Sequence, residues 1–127
     1  MSSMYGQYFE SYKWKNRLVL ILSNDPNSNV LNDQHKILKA DELGMIERKL
    51  KVFRIHPYGI DSLENREDVI VNKGICNHFL DKNETFQILL IGLDGGVKLR
   101  QNTILSLKEL YALIDSMPMR QAEINKN

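Results

Sequence analysis

At 127 residues and a formal net charge of +1, the chain can bury one real core, and it lacks the basic surplus of a dedicated nucleic-acid binder. Its composition is that of a globular protein, and its one cysteine, Cys76, excludes an intrachain disulfide, a CxxC redox pair and a cysteine-rich metal site. No apolar run reaches membrane-spanning length, and no basic segment leads into an apolar stretch as in a signal peptide, which leaves the compartment open.

Residues 1–16 form an aromatic N-terminal segment ahead of the domain proper. Tyr5, Tyr8, Phe9 and Tyr12 fall on one face of an amphipathic helix. Two readings stand. These side chains pack back on the domain, or they form a homodimer or partner surface.

Arg17 to Ser23 is apolar almost throughout, the signature of a strand buried on both faces. It runs into Asn24-Asp25-Pro26-Asn27-Ser28-Asn29, a cluster of loop and cap residues. A helix starts near Asn29, with Val30, Leu31, Ile37 and Leu38 as its stripe and Gln34 inside it. Asp41 to Arg48 reads as a second short helix broken around Gly44, and Leu50 to His56 as the next strand, ended by Pro57-Tyr58-Gly59. Strand, helix, strand at this length predicts a right-handed parallel βαβ unit.

Residues 60–84 carry the weakest pattern. Ser62 to Asp68 reads as a solvated loop or a helix start, Val69-Ile70-Val71 as a strand fragment and Ile75 to Leu80 as a short helix. A hairpin follows. Ile88 to Ile91 is a buried strand, Asp94-Gly95-Gly96 predicts a two-residue tight turn, and Val97-Lys98-Leu99-Arg100 alternates as an edge strand with one wet face. Ser106-Leu107-Lys108-Glu109 is a capping box opening a helix from Leu107 to Met117, which Pro118 stops. Residues 121–127 read as a polar tail.

A βαβ unit followed by ββα predicts one α/β domain of thioredoxin-like order, a central mixed sheet flanked by helices. Arg17–Ser23 and Gln87–Ile91 lie side by side at its centre. Particular stretches sharpen this. Lys13-Trp14-Lys15-Asn16-Arg17, Gln34 and Glu47-Arg48 are matched, as are Leu90 to Arg100 and Ile114-Asp115-Ser116-Met117-Pro118-Met119-Arg120. Through them the chain resembles the bacterial domain-of-unknown-function 4174 family, thioredoxin-like in fold. Related domains occur in coiled-coil domain-containing protein 80 and the sushi-repeat-containing proteins. Leu93 stands where the family pattern has a lysine. The resemblance implies the fold and brings no activity with it.

In redox-active thioredoxins a cysteine sits at the N-terminus of the helix after the first strand, and a cis-proline faces it. This chain has Asn24 to Asn29 at the first place and Thr85-Phe86 at the second. Cys76, among Ile75, Phe79 and Leu80, reads as a buried structural thiol. The polar loop either caps its helix or offers backbone N–H groups to an anion. His35, His56 and His78 have no metal-ligand spacing and read as ordinary surface or edge residues.

Lys98 and Arg100 share one face of the edge strand, roughly 6.6 Å apart. Arg17 and Arg120 are further candidates for a basic cluster. With Gln34 they make up the candidate ligand-binding set: Arg17, Gln34, Lys98, Arg100 and Arg120. The resulting expectation is a non-redox binding module for a protein or an anionic ligand, with no cofactor and no catalytic constellation. The alternative is a thiol or peroxide oxidoreductase using Cys76 alone.

Overall fold

A computed structural model describes residues 9–25, 27–57, 59–62, 70–71, 76 and 78–125. The first strand, β1 (Arg17–Ser23), is buried at every position. It lies parallel to β2 (Leu50–His56), with Arg17 opposite Leu50, and antiparallel to β5 (Phe86–Ile91), with Leu18 opposite Ile91. The two most apolar strands are therefore central neighbours, as their composition requires. β3 (Gly59–Ser62) pairs with β2 and β4 (Ile70–Val71) with β3, while β6 (Val97–Gln101) pairs with β5. The six strands form one mixed sheet in the order β4-β3-β2-β1-β5-β6.

Because successive strand residues face opposite sides, β1 feeds two cores. Leu18, Leu20 and Leu22 join Phe53, Ile55, Leu89 and Ile91 on one face, covered by Phe9, Cys76, Phe79 and Leu80. Val19 and Ile21 join Val52, Ile88 and Leu90 on the other, covered by three helices: α1 (Asn29–Lys39), α2 (Glu42–Glu47) and α3 (Leu107–Asp115). The last helix, α4 (Pro118–Asn125), buries only Arg120.

Local chemistry sets the helix starts. Ser28 caps α1 by accepting from the N–H of Leu31 (3.3 Å). Ser106 and Glu109 close the capping box of α3 in both directions.

Several expectations are corrected. The buried stripe of α1 is Leu31, Gln34, His35 and Leu38, whereas Val30 is exposed; His35 is inside rather than on the surface. Gly44 does not break α2 but lies within it, because Asp41 caps the helix by accepting from the Gly44 N–H at 3.1 Å. Gly59 begins β3 instead of closing β2. The β5–β6 connection spans residues 92–96, with Gly95 at φ 86 and a register shift at Leu90/Ile91, so it is longer than a two-residue turn. Pro118 stops α3 but also opens α4, using the first-turn position where no N–H is needed. The polar tail is thus helical to Asn125.

Phe9 packs at 5.3 Å from the Phe53 ring, and half-buried Tyr12 at 5.5 Å, so these two aromatics pack back on the sheet. Tyr5 and Tyr8 lie outside the described residues. No helix among the described residues is long and apolar enough to cross a membrane.

Candidate functional site

Where a redox thioredoxin carries its cysteine, this chain folds a loop on itself. The Asp25 N–H donates to Ser23 Oγ (3.0 Å), the Asn27 N–H to Asp25 Oδ1 (2.9 Å), and the Asn24 N–H to the Thr85 carbonyl (3.1 Å). Cys76 lies directly beneath. Its thiol donates to the Ser23 carbonyl at 3.3 Å, is 1% exposed, and is pushed above the ordinary thiol range by burial. It touches the loop from inside the core.

The opposite end of the sheet holds a network of charged side chains. Arg17, at the entry to β1, is 1% exposed; it donates to the Arg48 carbonyl (2.9 Å) and reaches Glu123 through both terminal nitrogens (3.3 and 3.2 Å). Arg120 donates to Asp115 (2.9 Å), Glu47 (2.7 Å) and Glu123 (3.4 Å). Arg48 holds Asp115 through two nitrogens (3.1 and 2.9 Å), and its guanidinium lies 3.7 Å over the Tyr111 ring. The Tyr111 hydroxyl donates to Asp41 (3.1 Å); burial, then this carboxylate, pushes its pKa up to about 12.

Burial alone would raise Asp115 and Glu123. The arginines around them overturn that and hold both carboxyls below the usual range. The network thus keeps its carboxylates ionised and clamps α3, α4 and the α2–β2 junction together.

The five candidate ligand residues do not form one cluster. Arg17 and Arg120 meet at Glu123, turned inward on the protein's own acceptors. Gln34 is fully buried far from them, bonded to both backbone groups of Leu105. Lys98 pairs with Asp94 (3.1 Å), and Arg100 bonds the Phe79 carbonyl, Gln87 and Asp81 (3.0, 3.2 and 3.4 Å). Only Lys98 and Arg100 of the five are substantially exposed. Leu93 is buried, and its carbonyl accepts from the Trp14 N–H at 2.7 Å, so the hairpin here anchors the N-terminal segment.

Sequence reasoning missed a groove of about 570 Å³ between α2 and β2. Its floor is the buried Met45, Leu50 and Val52, and the exposed Ile46, with Asn16, Lys39, Glu42, Lys49 and Lys51, completes its lining. Lys49 holds φ 56, a left-handed conformation uncommon for a side chain of its type, and remains 51% exposed. The alternation Lys49-Leu50-Lys51-Val52 marks only the floor: Leu50 and Val52 fall on the helix-covered face, whereas Lys51 shares the opposite face with Phe53 and Ile55.

The fold has a solved counterpart. The crystal structure of the reduced Plasmodium vivax 2-Cys peroxiredoxin aligns with a TM-score of 0.62 at 12% identity, covering 90% of this chain and 72% of that one. At that identity the likeness speaks for the α/β thioredoxin-like fold alone. The matching family model spans residues 8–123, from the N-terminal segment through β1, the charged network and α4. The chain belongs to the family described as Domain of unknown function (DUF4174).

Proposed function

We propose that the protein is a non-redox, thioredoxin-like binding module for an anionic ligand. The observation that carries this reading is the place of Cys76. A catalytic thiol has to be reachable and ionised near neutral pH. Cys76 is sealed in the core, its proton is engaged by a carbonyl, and burial disfavours the thiolate. A lone cysteine also has no intrachain resolving partner.

The ligand surface in this reading is the α2–β2 groove. Its volume suits a small molecule, its floor is apolar, and Lys39, Lys49 and Lys51 stand in its lining beside Glu42, with Lys49 also 3.7 Å from Glu123. That chemistry selects an amphipathic anion, a carboxylate or sulfate on an apolar body. Lys98 and Arg100 offer a second basic face on the β6 edge, while Arg17, Gln34 and Arg120 support the fold behind these surfaces.

Calorimetric titration with dodecanoate and decyl sulfate tests the groove. The wild type binds, and Lys39→Glu or Lys51→Glu weakens binding by about tenfold with the fold intact. No binding by the wild type, or equal binding by the charge-reversed variants, overturns the assignment.

A further inference from the structure

We infer that Arg17, Lys49 and Arg120 form a second anion site, a cradle occupied in this state by the protein's own Glu123 and able to accept a small tetrahedral oxyanion in its place. This does not rest on the groove reading. Three cations from three elements surround one carboxylate: Arg17 from β1, Lys49 from the α2–β2 junction and Arg120 from α4.

Both arginines are positioned by something other than Glu123. Arg17 donates to the Arg48 carbonyl at 2.9 Å, and Arg120 is fixed by Asp115 (2.9 Å) and Glu47 (2.7 Å). The Lys49 backbone is held on both sides, its N–H by the Ile46 carbonyl (3.0 Å) and its own carbonyl by the Arg17 N–H (2.8 Å). The two guanidinium groups and the Lys49 backbone are therefore set without the occupant, while the Lys49 ammonium meets Glu123 at 3.7 Å.

Glu123 is the loosest anion of the network. Its contacts run 3.2, 3.3, 3.4 and 3.7 Å, against 2.7 to 3.1 Å for the bonds of the Glu47 and Asp115 carboxylates to their arginines. It also borders a cavity of about 330 Å³ with Glu47, Lys49, Arg120 and Ile124, which leaves the Lys49 and Arg120 side of the cradle next to open space while Arg17 lies buried behind Glu123. Glu47 already occupies one side of Arg120, so an anion that takes the place of Glu123 meets Lys49 and the remaining Arg120 nitrogen at the cavity and Arg17 behind them. A flat carboxylate leaves donors over; phosphate and sulfate present more acceptor oxygens to the same fork-shaped groups.

Removing the occupant tests this. Glu123→Ala and Glu123→Gln are titrated with inorganic phosphate and with sulfate at constant ionic strength, and their thermal midpoints are followed in both salts against chloride. Glu123→Ala binds phosphate about tenfold more tightly than the wild type and regains in phosphate the thermal midpoint it loses in chloride. Adding Lys49→Ala abolishes that recovery, whereas adding Lys39→Ala, which touches only the groove, leaves it intact. Should Glu123→Ala fail to fold in chloride, refolding on addition of phosphate supports the cradle. The inference is overturned if phosphate and sulfate act on both Glu123 variants no more than chloride does, or if the recovery survives Lys49→Ala.

Discussion

The side-chain amide of Gln34 holds Leu105 as a neighbouring strand would. Gln34 Oε1 accepts from the Leu105 N–H at 2.7 Å, and Gln34 Nε2 donates to the Leu105 carbonyl at 2.9 Å. A glutamine inside an apolar stripe is thereby explained, because it satisfies two backbone groups that no strand reaches. Gln34→Leu leaves both groups buried and unpaired, and urea denaturation will show a loss of about 2 to 4 kcal/mol. Gln34→Glu keeps the acceptor and loses the donor, so its loss is also large at neutral pH. A loss within the error of the wild type would remove Leu105 from Gln34's account.

Gly44 is required by close approach. A Cβ there would run into the Asp41 carboxylate and come within 2.6 Å of the Tyr111 hydroxyl. Gly44→Ala must displace the cap of α2 and the partner of Tyr111 together, despite alanine's better helix propensity. The expected destabilisation is about 1 to 3 kcal/mol in denaturant titration. A neutral or stabilising effect would mean that Asp41 and Tyr111 are not held as described.

Tyr111 gives an alkaline signature. Its pKa is raised from 10.0 to about 12, first by burial and then by Asp41. A proton held more tightly when folded stabilises the fold below the unfolded value, and that contribution is lost as pH rises from about 10 to about 12. Tyrosinate absorbance in the wild type should contain a late-titrating component that Tyr111→Phe removes. If all the tyrosines titrate together near the ordinary value, the Asp41–Tyr111 bond is absent in solution.

On the acid side, Asp115 and Glu123 have lowered pKa values, so the unfolded chain takes up protons before the folded one does. Their contribution is present above the ordinary carboxylate range and is lost as pH falls through the lowered folded values. Thermal midpoints should drop on acidification, and the drop should flatten in Asp115→Asn and Glu123→Gln. An unchanged acid profile in both variants would contradict the network.

The central sheet was legible because burial on both faces leaves a plain mark. Arg17–Ser23 and Ile88–Ile91 are apolar runs with no solvent side, and the Ser106–Glu109 box announces its helix by residue type alone. β3 escaped because Gly59-Ile60-Asp61-Ser62 offers one apolar residue and no alternation to count. Pro118 reads equally as a stop and as a first helical residue; only the chain beyond it decides. The charged network was hidden for a different reason. Arg17 and Glu123 are 106 positions apart, and a sequence gives the charge of each but not the pairing that turns Arg17 inward. Lys98 and Arg100 stayed exposed because an edge strand keeps one face in water.

The central claim, that this thioredoxin-like chain binds without thiol chemistry, is tested most directly at Cys76. The measurement is the rate at which a disulfide reagent labels the native protein across neutral to mildly alkaline pH, beside peroxide and disulfide turnover by the wild type and Cys76→Ser. The account predicts labelling slower than in denaturant by roughly a thousandfold or more, limited by unfolding, with no turnover by either protein. Rapid labelling of the native thiol near neutral pH, together with turnover that Cys76→Ser abolishes, would contradict it.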